Sequence, residues 1–321
     1  MALLTFLLRR ILLGIGVLWI ISVAVFAMFF IAPHDPARLL AGKEATPQTV
    51  ALITHRLGLD KPVLVQYGDF VVRLLHGNLG YSYYNSEPVT QLIASRLPVS
   101  ASLAIGAAVL WLLIGEAAGV LAAARPRSFA DRVVTVLSLF FYSMPPFLLG
   151  VLLLYFLFFR LWVSGIHAFP GSGYVPLQSN PLQWARYLFL PWLTIALGSA
   201  ATYSRLTRSG LLEVLGQDYI RTAHSKGASG QRVLFVHGLR SALTPVVTQC
   251  GIDLGVLLGG VVITENIFGL PGLGALAVQS ITTQDLPVII GIVLLSSFFV
   301  VAANVVVDLV YTVLDPRVQA R

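Results

Sequence analysis

The run 11–32, ILLGIGVLWIISVAVFAMFFIA, holds no charged residue and constrains the chain more than any other stretch. A helix of this length, at about 1.5 Å per residue, crosses the ~30 Å hydrocarbon layer of a bilayer. Lipid offers no hydrogen bonds to the backbone, so a helix is the expected form. Arg9-Arg10 precedes the run, as in a secretory signal. The apolar part is too long for one, however, and no small-x-small cleavage site follows. It reads as a retained first span with its N-terminus in the cytoplasm.

Five further apolar runs follow, at 99–124, 133–159, 187–206, 243–263 and 288–313. Of all residues 57% are hydrophobic and 11% charged, against about 25% charged in soluble domains. The expected fold is therefore an all-α membrane protein with six transmembrane helices. The net charge of +7 would hint at nucleic acid in a soluble protein. Here the basic residues lie in loops between spans, where topology and anionic lipid headgroups account for them. No nucleic-acid partner is expected. The sole cysteine, Cys250, allows no internal disulfide and sits in no metal-ligand cluster. It reads as a small apolar filler.

Loop charges set the orientation. The loop 125–132, RPRSFADR, carries three arginines, and 205–240 carries five Arg and one Lys. Between Asn266 and Leu286 there is neither. Both termini are expected in the cytoplasm. The segment 33–97 is expected to form an ordered extracytoplasmic insert between spans 1 and 2, with an amphipathic piece at 65–75 and a Pro88-led helix, PVTQLIASR. The expected organisation is span 1 at 1–32, the insert at 33–97, a five-helix core at 98–313 with a basic loop at about 209–242, and a cytoplasmic tail at 314–321. Pro145-Pro146 is expected to kink the third span.

Within the basic loop the stretch 218–251 reads DYIRTAHSKGASGQRVLFVHGLRSALTPVVTQCG. Asp218 is expected as an N-cap and Gly227 as a helix stop. Ile220 and Ala223 share a face, and the small Ala223 admits a close neighbour. Spacing alone leaves two readings open: a helix that docks in a partner's groove, or a solvated basic loop.

This stretch resembles the EAA loop of ABC importer permeases in the form used by the peptide/nickel branch. Ala223, Gly227 and Pro245 match its Ala, Gly and Pro, while Arg221 stands at the position of the glutamate. GLDKPVLVQYGDF, GNLGYSYYNSEPVTQLIASRLP, FPGSGYVP, LLGGVVITENIFGLPGLGAL and QDLPVIIG resemble further family landmarks in family order. The resemblance implies a type I ABC importer permease in the inner membrane of a bacterium. It implies a second homologous permease as heterodimer partner, two cytoplasmic ATPases and an extracytoplasmic binding protein. The loop's short helix would be the coupling helix, with Asp218, Tyr219, Arg221, Ala223, Lys226 and Gly227 at the ATPase contact. Dipeptides and oligopeptides are the implied cargo, with glutathione-like peptides and nickel complexes as alternatives. ATP and magnesium would bind in the partner ATPases.

No catalytic, cofactor or metal site is expected in this chain. There is no GxxxxGK[ST] loop, since Gly42-Lys43 is followed by Glu44, and no HExxH or GxSxG. Gly227-Ala228-Ser229-Gly230 matches an intramembrane protease pattern but lies in the basic loop, where a membrane serine cannot be. Four acids fall in or beside apolar runs: Glu116, Asp253, Glu265 and Asp308. A carboxylate at mid-bilayer costs ~2.5–3.5 kcal/mol on insertion scales, so each needs a partner or a wet cavity. Glu265 and Asp308 read as hydrogen-bonded anchors. Glu116 and Asp253 have two readings: pairing with polar groups of a partner subunit, or the translocation pathway. Gly255 and Gly259 form a GxxxG that Gly251 extends. It suits either packing within the chain or the seam with the second permease at the pathway, the latter favoured by the resemblance. The rival class is an ion-gradient-driven transporter or channel using Glu116 and Asp253. That class calls for inverted repeats, and none is visible.

Overall fold

The computed structural model describes residues 2–31, 37, 46–58 and 60–314. The tail expected at 314–321 lies outside the described residues beyond its first position, as does part of the 33–97 insert. The described chain is mostly helical. Helix α1 (Ala2–Phe26) ends in a π-turn, Ala27–Ile31. Helices α2 (Pro47–Leu57) and α3 (Val63–Leu75) follow, then a two-residue hairpin of β1 (Tyr81–Ser82) and β2 (Glu87–Pro88). Among the described residues, four stretches are long and apolar enough to cross a membrane: Leu8–Phe29, Val89–Ala124, Pro146–Val163 and Leu286–Leu309. A fifth is a bent pair, Gly230–Ala242 with Thr244–Leu258, at 48°.

Helix α4 (Val89–Ala124) differs from the expected run at its start. The Pro88-led helix does not stop before the span. It continues through Pro98 for 36 residues, so the boundary drawn at 97/98 falls inside one helix. Pro98 removes one backbone donor, and membrane helices accept such interruptions where neighbouring groups take up the freed carbonyl. The third run divides instead of bending. Helix α5 (Phe129–Ser143) stops before Pro145, and α6 restarts at Pro146 (Pro146–Leu153), passing through a π segment, Leu154–Arg160, to Val163. Proline at the first helical turn starts a helix well, and further in it removes a backbone donor.

Helix α7 (Pro181–Leu215) is the axis of the bundle. It packs on α4, α5 and α6 and buries Leu188, Trp192, Ala196, Tyr203 and Leu211. Its fit against α4 depends on glycines. A Cβ on Gly106 would lie 2.1 Å from the Trp192 ring, and one on Gly115 2.7 Å from Tyr203 Cβ. Small residues at such contacts let helices approach closely, which supplies much of the packing energy where lipid and side chain are equally apolar. Its polar side chains Tyr203, Thr207 and Arg208 meet other helices.

After α7 come α8 (Asp218–Ser225), α9 (Gly230–Ala242) and α10 (Thr244–Leu258). Pro245 stands in the first turn of α10. Helices α11 (Val262–Ile267), α12 (Leu273–Thr282) and α13 (Leu286–Leu314) complete the chain. The glycine stripe of α10 is committed within the chain. Added Cβ atoms would lie 1.7 Å from Val307 on Gly251, 2.8 Å from Ala303 on Gly255 and 2.9 Å from Ser296 on Gly259. All three neighbours belong to α13. Of the two readings of this stripe, packing within the chain accounts for these contacts: α13 fills the groove that Gly255 and Gly259 make.

Glu265 clips the α11–α12 hairpin to α4. Its side chain is fully buried, accepting from Ser100 Oγ at 2.7 Å and from the Ala275 backbone N–H at 2.9 Å. Ser100 Oγ in turn accepts from Leu273 N–H at 2.8 Å. Asp308 pairs with Arg10 at 2.8 Å, fastening α1 to α13. At the other end of α13, buried Asp285 accepts from the Ser82 hydroxyl, holding the β hairpin down. Phe70 of α3 packs on Phe26 of α1, and Tyr67 hydrogen-bonds Ser22 at 2.8 Å.

Candidate functional site

The basic loop folds as a short helix stopped by glycine. Helix α8 spans the first eight residues of the DYIRTAHSKGASG stretch. Asp218 is its first helical residue and not its N-cap, which corrects the expectation. Gln217 holds the extended cap position and makes no side-chain bond to the helix. The Asp218 carboxylate reaches Arg221 at 3.7 Å in an exposed pair worth little. Near the N-terminus its charge still suits the helix dipole.

The C-terminus is sharply defined. Gly227 has φ +83°, in the left-handed region. Its N–H donates to His224 O at 2.9 Å, and Ala228 N–H donates to Ala223 O at 3.1 Å. This pair of bonds is a Schellman stop. Ser229 then caps α9, accepting from Arg232 N–H at 3.4 Å. Ser229 is exposed and serves as a helix cap, so the Gly-Ala-Ser-Gly match is a turn.

Helix α8 turns one residue inward. Ile220 is buried against the π segment of α9, Val233–Gly238, and Ala223 on the same side is half-covered. The small surface beside Ala223 is therefore formed in part by the chain itself. Tyr219 is 48% exposed, and Asp218, Arg221, Thr222, Ser225 and Lys226 are also exposed. Beneath this projection Leu211 and Ala242 are fully buried with Ala123 of α4. The loop thus rests on the ends of α4 and α7 and shows a polar outer face.

Three polar ties bind α7 to its neighbours near this end. Tyr203 Oη donates to Asp253 Oδ2 of α10 at 2.8 Å. Thr207 Oγ1 donates to Glu116 Oε2 of α4 at 2.9 Å. Arg208 donates from Nε and Nη2 to both oxygens of Asp131 at 2.7 and 2.9 Å. Asp131 also accepts from Arg127 N–H at 2.8 Å. These donors, the Arg208 pair first, hold its carboxyl at about 2, well below the usual range. Ser128 caps α5 through Asp131 N–H at 3.2 Å. The short arginine loop is in this way anchored to the helix that leads into α8.

Glu116 and Asp253 are not brought into contact with each other by any hydrogen bond among the described residues. Each meets α7 separately, four residues apart, which is one turn. Glu116 Oε1 is buried without a hydrogen-bond partner among the described residues. Asp253 lies in a cavity of about 300 Å³ between α7 and α10 and also accepts from Gln249 Nε2 at 2.9 Å. Sequence reasoning missed Tyr203, Thr207, Gln249, Asp131 and Arg208. The Ser128-x-x-Asp131 spacing is a legible cap signal. The partners on α7 are distant in sequence and carry no local signal.

Comparison with known proteins assigns this helical bundle to a family. The family described as binding-protein-dependent transport system inner membrane component matches residues 115–320, and its N-terminal companion matches 3–104. The chain belongs to this family and is the permease of an ABC importer. A Brucella abortus (strain 2308) protein, assigned by name to a peptide transport system as permease, is 44% identical over 312 residues, covering 97% of this chain and 98% of that protein. The glutathione transport system permease protein GsiC of Salmonella choleraesuis (strain SC-B67) is 39% identical over 316 residues, covering 98% and 99%. Among solved structures, an inward-facing MetNI methionine ABC transporter chain superposes with a TM-score of 0.53 at 20% identity, covering 72% of this chain and 99% of that one. That likeness concerns the fold.

Proposed function

We propose that this chain is one of two permeases in an ATP-driven importer of small peptides, and that α8 transmits the ATPase stroke. The observation that carries this is the Gly227 stop: it ends α8 with its polar face outward while Ile220 roots it in the bundle. In this reading the chain has six spans, the sixth being α7. The termini and α8 lie in the cytoplasm, and α2, α3 and the β hairpin lie outside as a cap for the binding protein. Asp218, Tyr219, Arg221, Ala223, Lys226 and Gly227 meet a cleft of the ATPase. The chain itself is not catalytic; ATP and magnesium sit in two partner ATPases. The names of the relatives support peptides as cargo, with glutathione-like peptides next.

ATP binding must favour the outward-open state over the inward one by several kcal/mol to move most of the population. A docked helix can deliver such a bias only if rigidly joined to the spans. The Leu211–Ala242–Ala123 cluster and the Arg208–Asp131 pair supply that join. The test is uptake into proteoliposomes holding both permeases, the ATPases and the binding protein. Uptake that needs ATP supports the reading. Uptake driven by an ion gradient with no ATPase present refutes it.

A further inference from the structure

Asp253 is a charge on a membrane span with neutral partners only. Its Oδ2 accepts from the Tyr203 hydroxyl at 2.8 Å and its Oδ1 from the Gln249 amide at 2.9 Å. Among the described residues it makes no ion pair. A carboxylate oxygen accepts more than one hydrogen bond, so both oxygens keep capacity. An ionised side chain on a span is conserved in energy only by a partner or by a polar cavity.

The cavity is present. Gly198, Ser199, Thr202 and Tyr203 of α7 wall it on one side, and Gln249, Asp253, Val256 and Leu257 of α10 on the other. Asp253 is its one charged residue. Ser199 and Thr202 offer hydroxyl acceptors, and Val256 and Leu257 an apolar wall. Val256 is largely exposed, so the cavity opens on the surface of the chain. A Cβ on Gly198 would meet no atom within 4 Å, so the space beside this wall is open. The volume, about 300 Å³, matches the lower end of small-ligand pockets.

We infer that this cavity receives the cationic ammonium group of the transported solute during its passage, with Asp253 as counter-ion. An ammonium brings three donors and no acceptor. Asp253, Ser199 and Thr202 bring acceptors. The Tyr203 and Gln249 bonds hold the carboxylate in place. A solute with a free amino terminus fits this chemistry, and one with a blocked terminus does not. This inference rests on the permease reading and adds a recognition step inside the membrane.

The test uses the complete importer, both permeases with both ATPases, in nanodiscs without the binding protein. Saturation-transfer NMR compares trialanine with N-acetyl-trialanine. Transfer to trialanine is expected, weaker by about tenfold or more for the acetylated peptide, as loss of one partner of a hydrogen-bonded charge pair requires. Equal transfer to both peptides, or none to trialanine, overturns the inference without any mutant. Asp253→Asn is then reconstituted with the binding protein in proteoliposomes. Import per ATP should fall by about tenfold or more while hydrolysis stimulated by the binding protein persists. Asp253→Asn importing like wild type refutes this site. Wild type importing nothing on ATP refutes the permease reading itself, so the two failures are distinct.

Discussion

Replacing Gly227 isolates backbone strain from packing. The residue sits at φ +83°, and an added Cβ would meet no heavy atom within 4 Å. Within the chain, any effect of a side chain there therefore comes from the left-handed conformation. For an L-residue that conformation costs ~1–2 kcal/mol, which is about 5–30-fold in the population of the stopped helix. Asparagine tolerates the region best among non-glycine residues, and β-branched residues worst. The expected order of ATPase retention and stimulated turnover is Gly, then Asn, then Ala, then Val at position 227. Gly230 provides the control. It too has open space around a would-be Cβ, but it begins α9 with an ordinary helical backbone. Gly230→Ala should behave as wild type. The assay is recovery of the ATPase subunits on the purified permease pair, followed by hydrolysis stimulated by the binding protein. If Gly227→Val recovers and hydrolyses as wild type, α8 does not need its Schellman stop and the coupling argument fails. If Gly230→Ala is equally impaired, added bulk and not backbone strain is responsible.

Other outcomes follow from the anchors. Ser100→Ala leaves the buried Glu265 carboxylate and Leu273 N–H each short of a partner, at ~1–3 kcal/mol per group; a lower apparent Tm of the detergent-purified chain checks this, and an unchanged Tm contradicts it. Asp131→Asn should lower apparent stability by an amount that depends on pH. The carboxyl sits at about 2 in the fold against ~3.9 unfolded, so its contribution is complete above about pH 4 and disappears as pH falls toward the folded value. The gap in Tm between wild type and Asp131→Asn should be flat through neutral pH and close in acid; a gap that widens in acid would reverse the assignment. Cysteines placed at Glu87 and Gln217, in a Cys250→Ser background, should react with impermeant maleimide from opposite sides of the membrane, and labelling from one side refutes six spans.

The apolar runs at 11–32, 99–124 and 288–313 were legible because lipid-facing helices must be apolar along their length. The run at 187–206 gave only part of α7, which extends over Pro181–Leu215 and uses Tyr203, Thr207 and Arg208 to bind its neighbours. The Pro145-Pro146 pair was visible, yet whether it bends or breaks a helix depends on packing that local sequence does not encode. Gly227 was read correctly from a local rule, since a helix stop is set by backbone geometry. The Gly251, Gly255 and Gly259 stripe shows the opposite case. Its closeness was legible, but a stripe does not name its partner, and the partner is α13. The same holds for Asp218, where capping and first-turn positions differ by a single residue.

The central claim is that α8 touches the ATPase. A photo-activated cross-linker incorporated at Tyr219, whose side chain stands half-exposed on the outer face of α8, tests it in intact membranes. The account predicts an adduct with the mass of one ATPase subunit, with a yield that changes on adding ATP, and no such adduct from the same probe at Tyr84. Capture of the ATPase at Tyr84 and not at Tyr219 would contradict it.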